Sequence, residues 1–234
     1  MAVPGGGVCF VDAGRISAIP IRSGQNIARR NPLFPYVYRL GTPIFGKLFY
    51  NRYRQEAMSN AVGRLLMIGI GPGNDLSYLP PAVTTVVAME PEAAFRRMTS
   101  TLASRRGIAI DVVEGFAESL PFPDNSFDSV HVGLVLCSVD DVGTALGEIW
   151  RVLAPGGRLV VLEHVRGEGM MGRFQDLIAK PWAWLSSGCH PNRRTVDAIA
   201  AAGFDTAGLR SIRRTLVPPP CTPHLQGFAN VVKI

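Results

Sequence analysis

The sequence predicts an α/β fold: a mostly parallel sheet with helices on both faces. Three observations carry that expectation. First, Leu65 to Ile68 reads as an apolar strand that breaks into Gly69-Ile70-Gly71-Pro72-Gly73-Asn74. Three glycines at alternate positions let the backbone bend sharply and approach a ligand with no side chain between. Second, the apolar run Val83 to Met89 ends in Glu90, nineteen residues after Gly71. A carboxylate there can accept both hydroxyls of a ribose. Third, strand-like and helix-like segments alternate from there to His164, the pattern that builds a parallel sheet.

Taken in order, residues 1–20 are punctuated by Gly and Pro without a clear period, so poor order is expected. From Asn31 to Asn60 aromatic and basic residues interleave, and Pro32, Pro35 and Pro43 cut the stretch into short helices, the last over Phe45 to Met58. This segment is expected to lie over the core as an amphipathic cap, with an interfacial membrane helix as the alternative. The division is therefore residues 1–60, an N-terminal tail and helical cap, and 61–234, the main domain.

Within that domain strand Arg64–Ile68 leads to a short helical stretch near Asn74–Leu79. Strand Thr85–Met89 precedes helix Glu92–Arg105, whose early Glu92 and late Arg105-Arg106 suit the helix dipole. Strands follow at Ile108–Val113 and at Asp128–Leu136, the latter near-continuously apolar as burial on both faces requires. Helix Val142–Val152 stops before Pro155-Gly156-Gly157, and strand Arg158–Glu163 comes next. After His164 a helix is expected over Met170–Leu185, broken at Pro181. Another is expected over Asn192–Ala202, closed by Gly203. Two β segments, Leu209–Leu216 and Gln226–Lys233, end the chain and can pair antiparallel.

The apolar fraction of 47% and charged fraction of 18% describe a folded globule. No apolar run reaches the ~18 residues that span a bilayer. Met1 to Gly7 lacks a basic n-region and an apolar h-region, so secretion is not expected. Cys9, Cys137, Cys189 and Cys221 are scattered with no Cys-x-x-Cys pair, which argues against a structural zinc or a disulfide framework. The expected compartment is the reducing cytoplasm, and no metal is expected. Basic and acidic residues number nine and two over 1–64, six and twelve over 65–165, and nine and four over 166–234. The basic flanks fit an anionic substrate, an anionic membrane surface contacted through residues 31–60, or simple solvation.

The nucleotide remains to be chosen. A nicotinamide cofactor wants Gly-x-Gly-x-x-Gly, whereas Gly69-x-Gly71-x-Gly73 is followed by Asn74. The loop Glu118-Ser119-Leu120-Pro121-Phe122-Pro123-Asp124-Asn125-Ser126-Phe127-Asp128 runs into one strand. Glu148 to Leu159 holds a helix, a tight turn and the next strand, and a β pair closes the chain. In order and spacing these features resemble the class I S-adenosylmethionine-dependent methyltransferases over roughly residues 60–234. Leu134-Val135-Leu136-Cys137-Ser138-Val139, Glu163-His164-Val165, Gly188-Cys189 and Pro223-His224 are similar to the thiol S-methyltransferases among them, and the ubiquinone and menaquinone methyltransferases are similar more generally.

The resemblance implies a Rossmann-like seven-stranded mixed sheet, antiparallel at its last strand, with helices on both faces. It implies S-adenosyl-L-methionine as cofactor and a small or lipophilic acceptor, with a thiol among the candidates. By position, Gly69, Gly71 and Gly73 would lie against the methionine part of the cofactor. Glu90 would hold the ribose, Ala117 and Glu118 would border the adenine, and Leu134 with Cys137 would line the cleft. Two positions depart from the family: Met67 and Phe116 stand where many members have acids. A nicotinamide-dependent oxidoreductase, a nucleic-acid methyltransferase and a catalytically degenerate cofactor-binding domain are the alternatives. The chain lacks the Asp/Asn-Pro-Pro-aromatic tetrad of many base-methylating enzymes, so a nucleic-acid partner is not expected. Nothing in the sequence fixes the oligomeric state.

His164 is the candidate catalytic residue. It ends a strand on the edge where open α/β sheets bind ligands, and its unperturbed pKa suits proton transfer. Glu163 beside it fixes local geometry or is structural, and His131, mid-strand, reads as a packed core residue. Cys189 and His190 are adjacent in a loop, where a metal would need further ligands nearby. Phe174, Trp182 and Trp184 read as a pocket wall mixed with the cap's own core.

Overall fold

Apolar residues at successive positions of a strand point to opposite faces, so a strand buried on both faces belongs to two cores at once. The computed structural model shows this arrangement; it describes residues 7–11, 15–20, 50–186, 188–213 and 219–233. In β3 (Gly63–Ile68) Leu65 and Met67 pack into one cluster with Ala57 and Met58, while Leu66 and Ile68 pack into the other with Leu146 and Ile149. The first cluster is covered by α1 (Asn51–Met58) and α2 (Ala93–Arg106), the second by α3 (Val142–Val152) and α5 (Thr195–Ala201).

The sheet adds β4 (Val83–Met89), β5 (Asp111–Val113), β6 (Phe127–Gly133), β7 (Leu153–His164), β8 (Phe204–Asp205), β9 (Leu209–Arg213) and β10 (Pro223–Val231). Its order is β5-β4-β3-β6-β7-β10-β8, with β9 also on β10. The strands from β5 to β7 are parallel, and β10 runs antiparallel to β7, β8 and β9. Strand order reverses between β3 and β6, and a ligand crevice opens at the carboxyl ends of the strands at such a point. The expected mixed sheet with an antiparallel last strand is present.

Local chemistry sets the boundaries. Glu92 caps α2 by accepting from the Ala94 amide, and Gly107 closes it at φ +66°. Asp141 caps α3 through the Gly143 and Thr144 amides. β6 ends at Gly133, three residues before the expected Leu136, because Leu134 turns to φ +63° and gives its N–H to the Leu162 carbonyl. β7 begins at Leu153, so Pro155-Gly156-Gly157 ends α3 without separating it from the strand. β5 is shorter than expected. α4 (Gly169–Leu185) passes through Pro181 unbroken, since a proline removes one helical N–H and Ser186 still bonds back to Trp182.

Gly7–Val11 and Arg15–Pro20, within the stretch where the sequence shows no clear period, pair antiparallel as β1 and β2. The expected helix Phe45–Met58 is seen over Asn51–Met58, and 45–49 lie outside the described residues. So do 31–44 of the cap segment and 214–218 of the expected β segment Leu209–Leu216. Among the described residues no helix is long and apolar enough to cross a membrane.

Candidate active site

The glycine loop follows β3 at the point where strand order reverses. Gly69, Gly71 and Gly73 adopt φ values of +59°, +57° and +86°, a region that side chains disfavour. A Cβ on Gly69 would stand 2.7 Å from Val135 Cγ2, so this glycine lets the loop pack against the segment after β6. Among the described residues a Cβ on Gly71 would meet nothing within 4 Å, so none of them covers that face of the loop. Thr99 of α2 donates its hydroxyl to the Gly71 carbonyl at 2.6 Å and anchors the loop from behind.

Glu90 ends β4, buried to 5% exposure. Its carboxylate accepts from the Gly71 amide at 2.9 Å and the Glu92 amide at 3.0 Å. A carboxylate tied to the open side of a glycine loop is the donor-acceptor set that a ribose and its sulfonium-bearing side chain need. The residues present therefore fit S-adenosylmethionine. Ala117 is buried in the core, and Glu118 accepts from the Asp140 and Asp141 amides, which fixes the loop that enters α3.

Behind the loop lies an ion pair that the sequence did not single out. Asp75 belongs to a short 3₁₀ turn, Asn74–Tyr78, directly after Gly73. Arg54 of α1 donates to it at 2.6 Å, and both side chains are about 6% exposed. His131 Nε2 stands 3.4 Å from the same carboxylate. Burial pushes the Asp75 carboxyl up, but Arg54 and His131 outweigh it and hold it well below the usual carboxylate range. His131 pairs in register with Met67 across β6 and β3, so both point to this face. The acid missing at Met67 thus has a counterpart on the same face in Asp75.

The second cluster sits at the ends of β6, β7 and β10. Glu163, fully buried, accepts three consecutive amides, from Val135, Leu136 and Cys137, at 2.7, 2.8 and 3.3 Å. It clamps the turn that carries Cys137 against β7. Cys137 Sγ lies 3.8 Å and Cys189 Sγ 3.4 Å from His164 Nδ1. The opposite ring nitrogen, Nε2, lies 3.4 Å from the Tyr50 hydroxyl, which lies 3.1 Å from His224 Nε2. His224 Nδ1 faces the Thr222 carbonyl at 3.2 Å. That carbonyl only accepts, so His224 Nδ1 carries the proton and Nε2 accepts from Tyr50. The Tyr50 oxygen then accepts from His164 Nε2, which leaves Nδ1 facing the two sulfurs.

The antiparallel last strand makes this possible, because His224 pairs with His164 in register and their rings stand 4.8 Å apart. Cys137 is raised well above an ordinary thiol, by its hydrogen bond with Cys189 and by burial. Cys189 is pushed up to about 12; its bond with Cys137 lowers it, and the Cys221 thiol and burial outweigh that. Burial pulls His164 down, but Cys137, Tyr50 and Glu163 raise it to about 9. Burial and the crowding of the sulfurs disfavour free thiolates on Cys137 and Cys189.

Other groups hold this corner together. Gln175 of α4, fully buried, accepts from Gly167 N and donates to the carbonyls of Val165, Pro191 and Pro220. Arg193 donates to the carbonyls of Leu136 and Val139, and His190 N–H to that of Cys137 at 2.7 Å. Gln175, Arg193, Tyr50 and Cys189 were absent from the predicted site. Only Tyr50 and Cys189 left a trace, in an aromatic-rich run and a Gly-Cys pair. Phe174 and Trp184, read as a pocket wall and cap core, are 42% and 79% exposed on α4.

A family model described as a methyltransferase domain matches residues 66–161. The chain is 31% identical over 179 residues to thiol S-methyltransferase TMT1B of Rattus norvegicus, covering 74% of this chain and 72% of the relative. The chain belongs to the S-adenosylmethionine-dependent methyltransferases. It is also 28% identical over 208 residues to thiol S-methyltransferase TMT1A of Homo sapiens, covering 84% of this chain and 85% of that protein. The fold is shared with a methyltransferase from Thermotoga maritima at TM-score 0.60 and 20% identity, over 86% of this chain and 99% of that one. Membership of the family makes S-adenosylmethionine the cofactor and a small molecule the acceptor. It does not favour the nicotinamide, nucleic-acid or degenerate alternatives.

Proposed function

We propose that this methyltransferase transfers the methyl group to sulfur, on the thiol of a small or lipophilic acceptor. The observation that carries the reading is the His164 corner: a half-buried imidazole facing sulfur, oriented from behind by Tyr50 and His224. The names of the two mammalian relatives support it.

Gly69, Gly71 and Gly73 would hold the methionine part of the cofactor and Glu90 its ribose, with Ala117 and Glu118 beside the adenine. When bound, S-adenosylmethionine supplies a methyl carbon already activated by a positive sulfur. The protein then has to align the acceptor, exclude water and help it shed a proton. Leu134 and Cys137 would line the approach. His164 Nδ1, turned toward sulfur, would help the acceptor react as a thiolate, whose S–H proton leaves to water. Tyr50 and His224 keep the ring from turning away. Residues 31–60 and 168–192 would cover the acceptor. We place the enzyme in the cytoplasm, with peripheral membrane contact through residues 31–60 where the acceptor is lipophilic.

Calorimetric titration with S-adenosylhomocysteine tests the cofactor assignment. The intact protein should bind it, and Glu90→Ala should weaken binding about tenfold or more, the loss of a charged hydrogen-bond partner. No binding by the intact protein, or equal binding by Glu90→Ala, contradicts the assignment.

A further inference from the structure

We propose that Cys137, His164 and Cys189 form a site for a divalent cation of the zinc class, with a fourth vertex that takes the acceptor's sulfur. The three ligand atoms lie within 4.8 Å of one another. A tetrahedral zinc with bonds of about 2.3 Å to sulfur and about 2.05 Å to nitrogen has S···N edges of about 3.6 Å. The observed edges, 3.4 and 3.8 Å, straddle that value. Two soft sulfurs and one imidazole are a donor set that selects zinc over hard cations.

The surroundings are those of a ligand set held in advance. His164 presents Nδ1 inward while Nε2 is taken up by Tyr50 and, through it, His224. A metal-bound histidine is oriented by just such a partner on its other nitrogen. The Cys137 turn is clamped by Glu163, and His190 N–H ties the Cys189 loop to the Cys137 carbonyl. Cys221 lies outside the three-ligand group. Sequence spacing hid the site because its ligands come from three separate segments that only the fold assembles.

Three protein ligands leave one position open, the arrangement of a reactive site and not of a closed structural one. The use of that position rests on the thiol reading above. The acceptor's sulfur binds the metal and its S–H proton goes to water. A sulfur lone pair then forms the new C–S bond as the metal–sulfur bond opens. The donor's C–S bond breaks with its electron pair kept by the donor sulfur, so charge and atoms balance with no further reactant.

The full chain, expressed with added zinc and purified under reducing conditions without chelator, should carry about one zinc by elemental analysis. Cobalt in its place should give sulfur-to-metal charge-transfer absorption, reduced in Cys137→Ala and again in the double variant with Cys189→Ala. An unchanged urea unfolding midpoint reports that the variants are folded. Adding a small alkyl thiol should shift the cobalt ligand-field bands. Wild-type protein that takes up neither zinc nor cobalt overturns the site, whatever the variants do. Bands that thiol leaves unmoved overturn the open vertex. Undiminished thiol methylation by chelator-treated, metal-free protein overturns the metal's role and leaves the thiol reading standing. Bound cobalt with no methyl transfer to any thiol sinks the thiol reading and the vertex with it, and leaves the three-ligand site.

Discussion

The molecule has two buried polar centres, and they are built on opposite principles. Arg54 and Asp75 form a buried ion pair, with His131 against the same carboxylate. Cys137, His164 and Cys189 form a centre of two buried thiols around one half-buried imidazole. In the first the Asp75 carboxylate and the Arg54 guanidinium are paired at 2.6 Å. The second is rigidly framed by Glu163, Arg193 and Gln175 while its own sulfurs make only weak contacts. Rigidity around reactive groups that are themselves underused is what a site of chemistry requires. The first centre should therefore govern stability and the second activity.

The largest effect that could break this division is on stability. Asp75→Ala removes the buried carboxylate that pairs with the Arg54 guanidinium and should cost about 3–5 kcal/mol in urea unfolding. Replacing both partners with apolar residues should cost much less, and an equal loss would show that the pair acts by more than charge. On the other side, His164→Gln should lower kcat/KM for a thiol by about 100-fold or more. Its unfolding midpoint should stay close to wild type; a large stability loss would make His164 a second structural centre.

Gly69 lies between the two regions, with Val135 of the Cys137 turn against it. Gly69→Ala should therefore disturb both, with about 1–3 kcal/mol of destabilisation from strain and overpacking and a matching loss of activity. A change in only one of the two would separate the regions further than proposed. The smallest effect concerns pH. The Asp75 pKa is depressed on folding, so its stabilisation is present above the unfolded value of about 4 and is lost as pH falls below it. Stability should fall there by up to about 1.4 kcal/mol per pH unit from this group, and Asp75→Asn should flatten that slope.

The cofactor half was largely legible in the sequence because its signals are local. A strand that ends in Gly69-x-Gly71-x-Gly73 and another that ends in Glu90 each declare themselves within a few residues. Val142–Val152 could be read to the residue because Asp141 caps one end and Pro155 follows the other. The His164 corner was legible only in part, because its contacts are distant. Tyr50 reaches His224 across 174 positions, and one glutamine, Gln175, binds segments near residues 165, 191 and 220. Scattered cysteines argued against a metal for the same reason, since spacing reports only ligands that share a loop. Asp75 escaped notice because a lone acid in a glycine-rich turn looks solvated until Arg54 arrives from another helix.

The central claim is that the crevice delivers a methyl group to sulfur beside His164. It is tested most directly by incubating the purified enzyme with methyl-labelled S-adenosylmethionine and a panel of alkyl thiols, phenols, quinols and amines. The account predicts label on a thiol, at a rate that His164→Gln lowers about 100-fold. Label confined to the oxygen, nitrogen or carbon acceptors, with every thiol untouched, would contradict it.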